Sequence, residues 1–198
     1  MTDRTAPVAH PINALMQARW SPRAFTGQAV TAAQEASLLE AARWAASCFN
    51  EQPWVFVTAR KDEEGFAGLL SLLSANNQAW AGAAGLLMIG FARTTFAANG
   101  NPNAMAQYDL GQAVAQMALQ AVELGLASHQ MRGFDVERAR TELGVPEGHE
   151  PMVAIAFGTQ GAPSLLPEKL AEREVAPRVR KPVTEFAHLG RYGVPVKV

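Results

Sequence analysis

The segment formed by residues 19–23 carries residue types that could bind a phosphate. Arg19, Ser21 and Arg23 place two guanidinium groups and one hydroxyl within five residues. A guanidinium donates paired, charge-assisted hydrogen bonds to phosphate oxygens, which makes arginine well suited to this task. Two further arginines, Arg178 and Arg180, could close over the same phosphate from the C-terminal part of the chain. The alternative interpretation is that these arginines are ordinary exposed surface residues.

A second polar segment lies between an apolar helical pattern and an apolar strand pattern. Its neutral hydrogen-bonding side chains belong to Ser47, Asn50 and Gln52. Such groups suit a ligand that is planar, polar at its edge and largely uncharged. They also have a local explanation, because Ser ends helices and Asn adopts left-handed turns without any ligand. The single cysteine, Cys48, excludes an intramolecular disulfide, and we interpret it as a small packed side chain, not a nucleophile.

The remaining titratable residues form no recognisable catalytic or metal-binding pattern. The four histidines lack metal-ligand spacing, and we interpret His129 as a satisfied, partly buried side chain. Residues 82–85 precede a strand and lack the glycine pattern that cradles phosphates. Glu51, Asp109 and Asp135 form no identifiable acid–base pair, and we expect the two aspartates to be structural.

Composition and charge indicate one well-buried domain. The chain has 198 residues, and its 48% hydrophobic and 18% charged content is typical of a protein with a sizeable core. A net charge of −1 creates no overall field that would attract nucleic acid or an anionic membrane. No signal-peptide pattern is visible, and the apolar run of residues 79–92 is shorter than the ~20 residues that span a bilayer. We therefore expect a cytoplasmic protein without a nucleic-acid or membrane partner.

The elements that must position these residues are predicted from periodicity and from cap and turn residues. Residues 1–10 are predicted to be a loose tail, and Thr31 is predicted to cap a helix, with Glu35 close to capping-box spacing. The predicted helices cover residues 11–18, 32–46, 63–75, 104–124 and 136–143, and the predicted strands cover residues 54–58, 85–91 and 153–157. Residues 97–103 are predicted to form a loop.

Two segments are predicted to pack against something large. Residues 104–124 contain only two charged side chains, Asp109 and Glu123, so this helix should lie in the core or in a subunit interface. Residues 161–198 are rich in Pro and charge and lack a core of their own. We predict that they form an arm that packs on a second subunit. The pattern as a whole predicts one α+β domain, with a central sheet and surrounding helices.

Five sequence blocks occur in an order that is typical of one enzyme family. They are RWSPRAF at residues 19–25, ARWAASCFNEQPWVF at 42–56, YDLGQA at 108–113, GL and QMRGFD within 125–135, and APRVRKP at 176–182. Over nearly the whole chain, this order resembles the nitroreductase family of FMN-dependent oxidoreductases. The resemblance implies an α+β fold with a central, mainly antiparallel sheet flanked by helices. It also implies a homodimer that exchanges C-terminal arms and holds FMN at the subunit interface.

The resemblance further implies an activity. NADPH or NADH would reduce the flavin at N5, and a nitroaromatic, quinone or related acceptor would then oxidise it in a ping-pong reaction. No side chain is assigned as the certain catalytic group, and no metal is expected. Arg23 would lie near N1 and the C2 carbonyl, where its charge stabilises the negative charge that develops on reduction. The backbone N–H of Arg132 would point at N5, and Gly133 would allow the close approach.

The same resemblance assigns the cofactor-binding residues. Arg19, Ser21 and the two C-terminal arginines would bind the phosphate and ribityl chain, and the polar segment at 46–52 would come from the opposite subunit. The full set is Arg19, Trp20, Ser21, Arg23, Ala46, Ser47, Asn50, Gln52, Asn77, Gln130, Met131, Arg132, Gly133, Arg178 and Arg180. The side chain of Arg132 could reach the extra phosphate of NADPH, or it could be a solvated surface group.

Three residues depart from the family pattern, and several functions stay open. Ala46 stands where relatives often have Pro, Cys48 where they have a second Ser, and Trp80 where some have Lys. We interpret Trp80 as a core residue. The alternatives are a flavin-binding storage or sensing protein, a member specialised for one acceptor such as an enone or a halogenated aromatic, and a dimerisation domain without cofactor. The sequence fixes neither the acceptor nor the choice between NADPH and NADH.

Overall fold

In the computed structural model, which describes residues 4–197, helices cover both faces of one four-stranded sheet. The strands are β1 (Trp54–Arg60), β2 (Leu86–Arg93), β3 (Ala127–Met131) and β4 (His149–Gly158). The helices are α1 (Ala14–Ala18), α2 (Ala32–Arg43), α3 (Gly65–Leu72), α4 (Ala75–Ala81), α5 (Ala106–Glu123), α6 (Val136–Glu142) and α7 (Glu168–Val175). Residues 1–3 of the predicted tail and Val198 of the predicted arm lie outside the described residues.

The sheet has the order β1-β2-β4-β3, and each neighbouring pair of strands is antiparallel. This arrangement confirms the expected α+β fold with a mainly antiparallel sheet. The strand β3 was not among the predicted strands, because its sequence ASHQM lacks the β-branched residues and the alternation that indicate a strand. It lies at one edge of the sheet, beside β4.

The central strand β2 explains why residues 85–91 form a continuous apolar run. Leu87, Ile89 and Phe91 belong to the core on one face of the sheet, with residues of α3 and α4. Leu86 and Met88 belong to the core on the other face, with residues of α2 and α5. A strand that is covered by helices on both faces needs apolar side chains at every position.

The helix α2 begins with the capping box that its sequence predicts, but with a different partner. The hydroxyl of Thr31 accepts a hydrogen bond from the N–H of Gln34, and the Gln34 side chain accepts one from the N–H of Thr31. The expectation that Glu35 takes this part is wrong. Glu35 is buried, and it forms an ion pair with Arg60 at 2.8 Å, because β1 brings that guanidinium against the helix.

One predicted helix is in fact two. The helix predicted over residues 63–75 ends at Leu72, and α4 begins at Ala75. Between them, Leu73 and Ser74 are extended, and Leu73 forms a β-bridge with Phe134. A tertiary contact therefore overrides a continuous helical pattern. No helix within residues 4–197 is long and apolar enough to cross a membrane.

Parts of the predicted tail and of the predicted arm contact their own domain. Within the predicted tail, Ala6 exchanges two hydrogen bonds with Gln17. Gly161 donates from its backbone to the carbonyl of Ala24 at 2.8 Å, so the predicted arm begins against its own domain. Beyond residue 178, it exposes the large apolar side chains Val179, Phe186, Leu189 and Tyr192.

Candidate functional site

Four arginines lie close together where the two ends of the described chain meet: Arg4, Arg19, Arg178 and Arg180. Arg178 donates to the carbonyls of Arg4 (2.5 Å), Gln17 (3.1 Å) and Arg19 (2.8 Å). Burial, and then the charge of Arg180, lowers the pKa of Arg19. Burial, and then the charges of the other three arginines, lowers the pKa of Arg178. Since no carboxylate among residues 4–197 pairs with them, this arginine cluster is a positive site that an anion would complete.

The loop of residues 19–23, here named the arginine loop, is held from the sheet. Nδ1 of His129 on β3 lies 3.1 Å from the carbonyl oxygen of Ser21 and 2.9 Å from that of Pro22, so its N–H donates to this pair. Burial, and then the charge of Arg23, lowers the pKa of His129. The hydrogen bonds to the carbonyls of Pro22 and Ser21 oppose this shift, because they raise the pKa, but their effect is smaller. His129 is only 9% exposed, which agrees with its interpretation as a satisfied, buried histidine.

A carboxylate that the sequence did not single out holds the C-terminal end of the arginine loop. Oε1 of Glu174 accepts from the backbone N–H groups of Arg23 (2.8 Å) and Ala24 (2.9 Å). Glu174 is 2% exposed, and its Oε2 has no hydrogen-bond partner among the described residues. No local pattern separates it from Glu168 and Glu172 on the same helix, so only the tertiary structure reveals its role.

A cavity of about 540 Å³ adjoins the arginine loop. The Trp20 indole lines it, donates to the Gln160 side chain at 3.3 Å and is covered by the Arg4 guanidinium at 4.7 Å. Trp20 therefore belongs to this cavity, whereas Arg19, one residue before it, belongs to the arginine cluster. Arg19 also donates to the Ser21 hydroxyl at 3.4 Å, and Ser21 is exposed.

The polar segment at residues 46–52 forms a loop with three non-glycine residues in the left-handed region. The φ angles are 52° at Phe49, 56° at Asn50 and 50° at Gln52, which confirms the left-handed turn expected at Asn50. The Ser47 hydroxyl accepts from the backbone N–H of Gln52 at 3.0 Å and thereby closes the loop. Within residues 4–197, no hydrogen bond joins this left-handed loop to the arginine loop.

The segment that follows β3 packs against α4. The Asn77 side chain donates to the carbonyl of Gly133 at 2.9 Å, and a Cβ at Gly133 would lie 2.5 Å from the Asn77 nitrogen. The absence of a side chain at Gly133 thus accommodates Asn77. Arg132 is exposed, with its guanidinium 5.0 Å from the Phe134 ring centroid. Gln130 is exposed and Met131 is buried.

Three further residues from the sequence analysis have structural contacts. Trp80 is a core residue, as interpreted, because it is 3% exposed and stacks on Phe25 with ring centroids 6.2 Å apart. Asp135 caps α6 by accepting from the backbone N–H of Arg138. Glu51 pairs with Arg93 and accepts from the N–H of Ala97, so it anchors the predicted loop. No group of side chains within residues 4–197 could hold a metal ion.

Known proteins resemble this chain in sequence and in fold. The family model of the Nitroreductase family matches residues 16–74 and 69–159. An oxidoreductase containing FMN, known from its crystal structure, is 36% identical, with a TM-score of 0.92 over 98% of this chain and 100% of its own. An uncharacterized 15.4 kDa protein of Mycolicibacterium smegmatis is 36% identical over 137 residues, which cover 68% of this chain and 88% of that protein. A putative nitroreductase from Desulfovibrio desulfuricans in complex with FMN shares the fold at 24% identity and a TM-score of 0.69, over 92% of this chain and 99% of its own.

Proposed function

The chain belongs to the nitroreductase family, and on this premise we propose that it is an FMN-dependent oxidoreductase that uses NADPH or NADH. Its acceptors are nitroaromatics, quinones or related small molecules, reduced in a ping-pong reaction. The fold that it shares at 36% identity with an oxidoreductase containing FMN supports the cofactor. The observation that carries the proposal is the arginine cluster, which pairs with no carboxylate among residues 4–197.

The arginine cluster has the donors and the charge that the phosphate of FMN requires. Arg19, Arg180 and the exposed hydroxyl of Ser21 would bind the phosphate oxygens directly. Arg178 already donates to three backbone carbonyls, so it contributes its charge and holds the other groups in place. A phosphate monoester carries close to two negative charges at neutral pH. It would offset the mutual repulsion of the arginines, which after burial is the second cause that lowers the pKa of Arg19 and Arg178.

The remaining residues of the site orient the ring and control its charge. Bound FMN would supply the two-electron redox chemistry between the nicotinamide and the acceptor. Arg23 lies in the loop that His129 and Glu174 hold in place, and it would hold its positive charge beside the pyrimidine edge of the ring. Residues 130–133 would line the ring with their backbone. No titratable side chain is required as the proton donor, and the proton for the acceptor would come from solvent.

We propose a homodimer with FMN at the subunit interface. The left-handed loop makes no hydrogen bond to the arginine loop of its own chain, which supports a contribution of Ala46, Ser47, Asn50 and Gln52 from the partner. Phe49, within this loop, is 88% exposed, and a large exposed aromatic ring is typical of an interface. The apolar side chains exposed beyond residue 178 support an arm that packs on the partner.

The absorption spectrum of the purified protein, recorded before and after anaerobic addition of NADPH or NADH, tests the proposal. Flavin bands that bleach with either nucleotide, and return when a nitroaromatic or a quinone is added, are expected. Bands that persist with both nucleotides would favour a binding protein without turnover. Return with only one acceptor class would favour a specialised enzyme. Absence of flavin after incubation with FMN would overturn the site assignment.

A further inference from the structure

We propose that His129 is a positioning residue that holds the arginine loop in the geometry that binds the cofactor's phosphate. The inference rests on the proposed function, because it assumes that this loop binds a flavin phosphate. It adds a residue outside the expected cofactor-binding set.

The hydrogen bonds of His129 fix the loop at its centre. Its Nδ1–H donates to the carbonyls of Ser21 and Pro22, which therefore point at the sheet. Pro22 is buried, whereas its neighbour Ser21 is exposed. With both carbonyls turned inward, the Ser21 hydroxyl stays on the outer side of the loop, where a phosphate can reach it.

The imidazole is itself held by aromatic packing. The ring centroids of His129 and Trp80 lie 4.6 Å apart, and Trp80 stacks on Phe25 in the core. The ring therefore has little freedom to turn its N–H away from the loop. This chain of contacts runs from the core through α4 to β3 and on to the arginine loop.

The charge state of His129 suits this task. A neutral imidazole with its proton on Nδ1 supplies a donor without adding a second cation beside Arg23. The burial of the ring and the charge of Arg23 both favour that neutral form, which lowers the pKa of His129. The elements packed against the ring present Trp80 on α4 and the register partner Ala156 on β4, neither of which titrates.

His129 also connects the two halves of the proposed site. It immediately precedes residues 130–133, which would line the ring, and it holds the loop that would bind the phosphate. His129, on the edge strand β3, therefore links the position of the arginine loop to that of residues 130–133.

The test compares binding of FMN and of riboflavin, which lacks the phosphate, by fluorescence titration. In His129→Leu, which removes the donor, we expect FMN binding to weaken at least about tenfold and riboflavin binding to change by less than about twofold. His129→Asn, whose amide N–H can reach the same carbonyls, should restore most of the FMN affinity. His10→Leu, at an exposed histidine, is the matched control and should change neither.

Equal weakening of FMN and riboflavin, or unchanged FMN affinity, would overturn the positioning role. If His129→Leu does not fold, Trp80→Phe decides the question, because it loosens the imidazole without removing its donor. It should reduce FMN affinity selectively, and a loss shared by riboflavin, or no loss, would contradict the proposal. A wild-type protein that binds neither FMN nor riboflavin would overturn the proposed function itself. This outcome differs from one in which the wild type binds FMN but the variants lose affinity for FMN and riboflavin equally, which overturns only the role of His129.

Discussion

The backbone N–H of Cys48 donates to Oδ2 of Asp109 at 3.0 Å, and this bond ties the left-handed loop to the buried face of α5. Asp109 is 1% exposed, and its other oxygen lies 3.5 Å from the side-chain nitrogen of Gln112. A helix placed in the core thus fixes a loop that carries four of the expected cofactor contacts. The structural role expected for Asp109 agrees with this geometry.

Asp109→Ala should destabilise the protein, because it leaves the Cys48 N–H without its acceptor. We expect the free energy of unfolding to fall by about 1–3 kcal/mol, measured by urea denaturation of the ligand-free protein. Asp109→Asn keeps an acceptor for the Cys48 N–H, so its unfolding free energy should fall less than that of Asp109→Ala. Glu123→Ala, at an exposed position on the same helix, is the control. Equal stability of Asp109→Ala and this control would contradict the prediction.

Arg180→Gln should separate cofactor affinity from stability. The loss of one charge-assisted contact should weaken FMN binding roughly 10–100-fold. The melting temperature of the ligand-free protein should be no lower than that of the wild type, because repulsion within the arginine cluster decreases. Arg173→Gln removes the same charge from α7, outside the cluster, and should change neither quantity. A clearly lower melting temperature of ligand-free Arg180→Gln would show that repulsion within the arginine cluster does not destabilise the wild type.

Arg23→Ala should lower the two-electron potential of bound flavin, because the reduced ring loses a stabilising positive charge. The shift should be roughly 30 mV for each 1.4 kcal/mol of stabilisation lost. Reduction by NADPH or NADH should also become slower. Arg23→Lys retains the charge and should keep most of the potential. If potentiometric titration gives the same value for wild type and Arg23→Ala, this residue does not tune the flavin.

Gly133→Ala should disrupt the contact with Asn77, since the added Cβ would lie 2.5 Å from the amide nitrogen. We expect a loss of about 1–3 kcal/mol in unfolding free energy, in the range for overpacking. The double variant Asn77→Ala/Gly133→Ala removes the clashing amide and should be less destabilised than the sum of the single changes. If the losses of unfolding free energy in the two single variants simply add up in the double variant, the added Cβ does not act through Asn77.

The stability of the ligand-free protein should depend on pH through His129. Its pKa in the folded protein is lower than the ordinary value of 6.5, owing first to burial and then to Arg23. Between these two values, the unfolded chain binds more protons than the folded one. The stabilisation should thus be complete above pH 6.5 and decrease as the pH falls from 6.5 through the folded-state pKa. In denaturation series, the stability of wild type relative to His129→Asn should decrease over this interval, and a constant difference would contradict the assignment.

The sequence predicts those parts of the fold that depend on near neighbours. Thr31 is a sufficient signal for the start of α2, and the apolar run around Met88 is a sufficient signal for a strand buried on both faces. The helix break at Leu73 could not be predicted, because its cause is a bridge to Phe134, which lies far along the chain. The strand β3 was missed for a related reason, since pairing with β4 stabilises a sequence with weak strand propensity.

In the candidate site too, local sequence identifies some residues and leaves out those whose contacts are distant along the chain. Arg19, Ser21 and Arg23 are identified by local spacing together with the family resemblance. The residues that hold them, His129 and Glu174, were not identified, because each acts on the arginine loop across more than 100 positions of sequence. The residues next to a buried histidine or glutamate in the sequence do not indicate which distant loop its side chain contacts.

The clasp between Arg4 and Arg178 bears on the order of folding. Arg178 donates to the carbonyl of Arg4 and Arg4 donates to the carbonyl of Ala176, contacts that span 174 and 172 positions. Contacts between such distant positions require the largest loops to close, so they form after the local helices and hairpins. During synthesis, a ribosome must release residue 178 before the clasp can close. We therefore expect the arginine cluster to be completed late in folding, after the helices and hairpins around it.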